Sequence, residues 1–204
     1  EEMAVRPSTS ALNCILCAYA DQGLVNKAYQ AFDKFQYFGC DQNEHTFHLM
    51  LDAVLMNLKT ALPPRSRMMD ESMIVNGISN RGSMDWVESM LESADTIMDM
   101  ARELGYQHTS QDLNHSYAQI LCVSGSFERA KNYVIDLVLD AEQNGERAPI
   151  SIKTFALLAT DCAMVGDLEG ANEMSRLCKA VGYKQGLPSY ANAQIKRLQE
   201  KSMI

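Results

Sequence analysis

The sequence predicts an all-α fold: a right-handed α-solenoid of helix-turn-helix repeats, about four units followed by a C-terminal helix. Three observations predict it. Glycines and alanines recur at fixed intervals, apolar residues beside them follow helical spacing, and strand-forming runs of Thr, Val or Ile are few among 204 residues that include only five prolines.

The interval is read directly. Gly23 is followed after five residues by Ala28, after nine by Phe32 and after sixteen by Gly39. Gly166, Ala171 and Gly182 repeat it. Gly125 and Ala130 repeat its first half, with Ala141 at the closing position, and Ala94 precedes Gly105 by the same eleven residues that separate Ala28 from Gly39. The first glycine of each set is expected to end a helix in the left-handed conformation, which costs glycine little. The alanine marks the closest approach of the two helices of a hairpin, where a larger side chain would force them apart. The second glycine ends the second helix.

Each helix then has its own warrant. Leu12, Ile15, Leu16 and Tyr19 place a helix at about 9–22, and Val25, Ala28, Phe32 and Phe35 one at about 24–38. Further helices are predicted at about 45–58, 85–104, 110–123, 127–143, 152–165, 167–181 and 189–201. Ser126 and Pro188-Ser189 are the expected starts of the sixth and the last. The whole reads as one domain, 1–204, with units at about 9–43, 44–110, 111–150 and 151–186 and a terminal helix over 187–204. The second unit carries an insertion over 59–84 with Pro63-Pro64, Arg65, Arg67 and several methionines. It reads either as a tolerated surface loop or as a partner-docking arm.

Composition bounds the function. Apolar residues make up 47% and charged residues 22%, which excludes wholesale disorder. A net charge of −8 argues against strong nucleic-acid binding, since phosphate neutralisation dominates such affinity. Positive charge collects only in 59–85 (+1) and 187–204 (+2). No segment is apolar enough to span a bilayer; Tyr133–Leu139 is broken by Asp136. The first residues are Glu1-Glu2 rather than methionine, so an upstream segment holding any targeting peptide is expected. Of the six cysteines, Cys14, Cys17, Cys122, Cys162 and Cys178 fall in helical apolar patterns, which suits packing in a reducing compartment.

The stretch Ser10-Ala-Leu-Asn-Cys-Ile-Leu-Cys-Ala-Tyr-Ala-Asp-Gln-Gly, followed by Ala28, Phe32 and Gly39, resembles a pentatricopeptide repeat. The resemblance is closest over 9–43 and 152–186, looser over 111–141 and partial over 44–109. The related tetratricopeptide unit has a period of 34 and a proline after its second helix. Here the first unit, Thr9 to Asn43, spans 35 residues, and Cys40, Tyr106 and Tyr183 follow the closing glycines. In the resembled family two or three side chains per repeat read one base of single-stranded RNA. One lies ten residues before the inner glycine and one four residues after the closing glycine. The resemblance therefore implies Asn13 with Asn43, a pair that would select a pyrimidine, then His48 with Thr109, and His115 without a partner. Ala156 and Gly186 of the fourth unit cannot hydrogen-bond a base edge. The alternative is that Asn13 and Asn43 are solvent-facing polar residues on an inherited scaffold.

What the resemblance implies overall is a non-catalytic RNA-binding or RNA-organising subunit of a ribonucleoprotein assembly in a mitochondrion or chloroplast, without cofactor. The alternative is a protein–protein scaffold in an organellar complex, its groove holding a peptide or helix, with the 59–85 insertion as a further contact for other subunits.

Other chemistry reads as weak. Cys14-Ile-Leu-Cys17 with His45-Thr-Phe-His48 superficially resembles a zinc site, but both pairs fall within helices, with Cys14 expected on the packed side and His48 on the open face. Gly77 and Gly82 lack the lysine and strand context of a phosphate loop. The pairs Asp95/Asp99 and Asp136/Asp140 read as solvated helix faces, and Trp86 as an anchor for its long helix. No nucleophile–base pair stands at useful spacing, so no enzyme activity is expected.

Overall fold

The structure is a computed structural model and describes residues 6–62 and 81–202. Among the described residues it is all-helical, with nine α-helices, one 3₁₀ turn and no strand. They are α1 (Thr9–Ala20), α2 (Val25–Phe38), α3 (Glu44–Ala61), α4 (Arg81–Glu103), α5 (Gln111–Val123), α6 (Phe127–Asn144), α7 (Ile152–Val165), α8 (Leu168–Ala180) and α9 (Ser189–Ser202); the 3₁₀ turn is Tyr106–His108. The chain divides into two compact halves, Glu1–Tyr106 and Gln107–Ile204.

In the N-terminal half α1 packs on α2 and α3, α2 on α3, and α3 on α4. The hairpin α1–α2 turns at Gly23, whose φ is +64°. Ala28 is fully buried, as the spacing requires. Phe32 meets Phe35 and Phe47 at ring-centroid distances of 6.2 and 5.7 Å, and Phe47 meets Tyr106 at 5.8 Å. The Tyr29 hydroxyl donates to the Ser93 carbonyl at 3.3 Å, tying α2 to α4.

In the C-terminal half α5 packs on α6 and α7, and α7 on α6, α8 and α9. Gly125 and Gly166 turn the two hairpins with φ of +84° and +86°. Ala130 and Ala171 are fully buried at the approach of the paired helices. Tyr117 packs edge-on to Tyr133 at 4.8 Å, and Phe155 to Tyr183 at 6.4 Å.

One clasp recurs in three hairpins. The residue after the closing glycine reaches the carbonyl just before the N-cap of its own hairpin's first helix. Cys40 donates its thiol to Pro7 O at 3.1 Å, Tyr106 its hydroxyl to Gln42 O at 3.4 Å, and Tyr183 its hydroxyl to Ile150 O at 3.0 Å. A proline at this position would have no donor to offer, which gives the side chains after Gly39, Gly105 and Gly182 a physical role.

The structure departs from the sequence reading in four places. First, α3 continues through Ala61 and α4 begins at Arg81, so both ends of the expected insertion 59–84 are helical. Residues 63–80, with Pro63-Pro64, Arg65, Arg67 and Gly77, lie outside the described residues; Gly82 lies in the first turn of α4. Second, α6 ends at Asn144, close to the expected 143, but its left-handed cap is Gly145 at φ +68° and not Ala141 at the closing position. Ala141 instead stays inside the helix, buried. Third, Ser126 holds the N-cap position of α6, but its side chain makes no capping bond. Fourth, Cys14 is exposed and Cys17 half-exposed, whereas Cys122, Cys162 and Cys178 are buried. Of the cysteines expected to pack, only the last three do so fully.

Candidate functional site

Asn13, Asn43 and His115, three of the side chains expected to read bases, sit where one hairpin meets the next. Asn43 is the N-cap of α3, and its Oδ1 accepts from the Thr46 backbone N–H at 3.0 Å while the Asn43 N–H donates to Thr46 Oγ1 at 3.2 Å. This closes a capping box. Asn13 enters it from α1. Its Nδ2 donates to Asn43 Oδ1 at 3.2 Å, and Thr46 Oγ1 donates to its Oδ1 at 2.9 Å. Thr46 Oγ1 also lies 3.0 Å from Asn43 Oδ1. That oxygen already has two donors, so the one hydroxyl proton is better placed on the bond to Asn13. Asn13 is 6% exposed and Thr46 fully buried. The structure thus brings Asn13 and Asn43 together, but aims their amides at each other and at Thr46.

The C-terminal half repeats the arrangement with different residues. Ser151 caps α7, accepting from the Thr154 N–H at 3.3 Å, and the two hydroxyls lie 3.1 Å apart. His115 reaches across from α5, with Nδ1 3.0 Å from Thr154 Oγ1 and Nε2 3.1 Å from Gln119 Nε2. Both ring nitrogens are engaged. Thr46 and Thr154 occupy the same position, the third residue of a first helix, and each bonds the side chain ten residues before the preceding inner glycine. At the next junction that position is Ala156 and the third residue of α9 is Ala191; both are fully buried. Polar faces polar twice, and small apolar accompanies small apolar once.

Beside His115, Asn114 forms a second buried node. Its Nδ2 donates to Gln107 O at 2.9 Å and Pro149 O at 2.8 Å, and Tyr133 donates its hydroxyl to Asn114 Oδ1 at 2.6 Å. Sequence reasoning passed over Asn114. Its spacing, one residue before His115, carried no separate signal.

The remaining candidates stay at the surface. His48 is half-buried on α3 with Nε2 3.6 Å from Asp52 Oδ2, one helical turn on. Thr109 is exposed, immediately ahead of Ser110, the N-cap of α5. His48 belongs to the N-terminal half and Thr109 to the C-terminal half.

Charge is organised tightly at one further point. Asp167 caps α8, accepting from the Gly170 N–H at 2.8 Å, and Lys131 of α6 donates to its Oδ2 at 3.2 Å and to Glu128 at 3.1 Å. The Gly170 N–H bond, reinforced by Lys131 against the effect of burial, holds the Asp167 carboxyl below the usual range. Burial alone would depress Lys131, but its bonds to Glu128 and Asp167 outweigh it and raise the ammonium above its usual value. Burial, with the Asp167 charge adding to it, pushes the Cys162 thiol up to about 11. That thiol is therefore neutral and weakly nucleophilic at neutral pH.

The Asp167 contribution is present above the unfolded carboxyl's pKa and is lost as pH falls through the depressed folded value. The Lys131 contribution is present below about pH 10 and is lost as pH rises through its raised value. Asp167→Asn keeps an acceptor for Gly170 and removes the charge. It is expected to cost at most about 1 kcal/mol at neutral pH and to flatten the stability profile below roughly pH 4. Parallel urea titrations between pH 3 and 7 would check this; an unchanged acid limb would show that Asp167 carries none of it.

Among the described residues no group of three or more His, Cys, Asp or Glu side chains could hold a metal ion, and no helix is long and apolar enough to cross a membrane. The open depression along α8, lined by Leu168, Glu169, Asn172, Glu173 and Arg176, offers charge but no nucleophile–base pair. No known protein-family model matches the chain, and no curated protein matches it significantly.

Proposed function

We propose that the chain is a non-catalytic interaction subunit: a right-handed α-solenoid of about four pentatricopeptide-like repeats that holds protein neighbours in an organellar ribonucleoprotein assembly. The observation that carries this reading is the engagement of the base-reading positions. Asn13 and Asn43 bond each other and Thr46, and His115 bonds Thr154 and Gln119. A base edge reaching Asn13 would have to displace its buried bond to Thr46, at a cost of about 1–3 kcal/mol for a buried polar group left unpaired. One reaching the exposed Asn43 or the half-buried His115 would compete with part-buried bonds. The net charge of −8 points the same way.

Direct RNA contact, which the family resemblance implies, is favoured by a different observation. Asn43 and Thr109 are exposed, and His48 and His115 are half-buried. Binding of short single-stranded RNA across a salt series separates the two readings. The interaction-subunit reading predicts dissociation constants weaker than about 10 μM at physiological salt, with no preference among homopolymers. Tight, pyrimidine-selective binding abolished by Asn43→Ala would overturn it.

A further inference from the structure

Among the described residues, α1 lacks a cover that α3, α7 and α9 have. In α3 the side chains at the third, seventh and tenth positions are Thr46, Met50 and Ala53, all buried. Thr46 bonds Asn13, so this stripe is the one turned toward α1. In α7 the same positions hold Thr154, Leu158 and Asp161, again buried, and Thr154 bonds His115 of α5. In α9 they hold Ala191 and Ile195, both buried, and Leu198, half-buried, on a helix packed against α7. Three first helices thus use one stripe, spaced i, i+4, i+7, to rest on the first helix before them.

In α1 those positions are Ala11, Ile15 and Ala18. All three are exposed, Ile15 to 44%. Cys14 beside them is exposed too, while its counterpart in α3, Leu49, is buried. The stripe is apolar along its length, as the covered stripe of α9 is.

We infer that the Ala11–Ile15–Ala18 face of α1 is a docking surface for another helical hairpin of the same register, presenting to it the side of a first helix that α1 presents to α3. Continuity identifies this occupant: the interfaces α1/α3, α5/α7 and α7/α9 all place this stripe against a neighbouring first helix. A small apolar third residue, Ala11, selects a small side chain ten residues before the partner's inner glycine, as Ala191 goes with Ala156. The tail of a second copy is a poor match. Ala193 of α9 stands where Ala156 does in α7 and is small enough to meet Ala11, but the same exposed side of α9 carries Lys196, Arg197 and Glu200, and burying these against Ile15 would strand their charges. The inference deepens the interaction-subunit reading and rests on it.

The test uses the full chain in its native extract, with a photo-crosslinking benzophenone amino acid at Ile15 or Ala18, and the same probe at Tyr37 as a second surface. The expected product joins α1 to a helix of a repeat hairpin carrying the glycine-plus-five alanine spacing. Cys14 should also be alkylated at least tenfold more slowly in the assembly than in the isolated chain. Ile15→Glu should abolish both effects, and unchanged thermal unfolding of the isolated variant would show that the fold is intact. Crosslinks to a second copy of this chain, to a protein without such a hairpin, or to nothing would overturn the inference. If Tyr37 still gives protein crosslinks in those cases, the interaction-subunit reading survives. If neither site does and RNA adducts appear instead, both fail.

Discussion

Replacing Gly23 by alanine is expected to destabilise the chain by about 3 kcal/mol or more. Two penalties combine. The φ of +64° places any L-residue in the left-handed region, which alone costs about 1 kcal/mol. The added Cβ would also lie 2.7 Å from the backbone nitrogen of Asn57 and 2.9 Å from its Cα. These are atoms of the α3 backbone, which cannot swing aside as a side-chain tip can. Asn57 Nδ2 also donates to Gly23 O at 2.7 Å, so moving the turn away from α3 breaks a bond as it relieves the clash. Gly39 is the control: its φ is +65°, and nothing lies within 4 Å of the position a methyl would take. Gly39→Ala should therefore cost only about 1 kcal/mol. Chemical denaturation of both variants checks the difference, and equal losses would show that the turn is not pressed against α3.

Asn13→Ala is expected to cost about 1–3 kcal/mol, because it removes a partner from the fully buried Thr46 hydroxyl and from Asn43. Its informative feature is coupling. The double variant Asn13→Ala/Thr46→Ala recreates the small apolar combination found at Ala156 and Ala191, and loses only once the bond between Asn13 and Thr46 that each single variant breaks. It should lose less than the sum of the two single variants, by about 1 kcal/mol. A double-mutant cycle reads this directly. Strict additivity would mean that Asn13 and Thr46 do not share their bond energetically, and the base-reading positions would then not act as hairpin joints even at their best-defined example.

Much of the helical framework was legible in the sequence because its determinants are local. Gly23, Gly125 and Gly166 end hairpin turns with positive φ, and Ala28, Ala94, Ala130 and Ala171 are fully buried, as the five- and eleven-residue intervals require. The closing cap that shifted did so for an equally local reason. Gly145 offers a left-handed cap one turn after Ala141, and a buried alanine gives a helix no cause to stop there. What the sequence did not disclose depends on neighbours distant along the chain. Asn13 and Asn43 could be named as a pair, but only the approach of α1 to α3 turns them toward each other and toward Thr46. Cys14 lies in an apolar helical pattern and reads as packed; its exposure follows from there being no described helix against the outer side of α1. The clasp from Cys40, Tyr106 and Tyr183 to the start of each hairpin was visible as three non-proline residues, without the carbonyls that explain them.

The central claim is that side chains at the base-reading positions hold hairpins together rather than read RNA. Ultraviolet crosslinking in native extract, with nucleotide adducts mapped to individual residues, tests it most directly. The expected result is no RNA adducts on the peptides containing Asn13 and His115, with protein crosslinks from the chain's surface in the same sample. Adducts concentrated at Asn13, His48 and His115, competed away by pyrimidine-rich RNA, would contradict it.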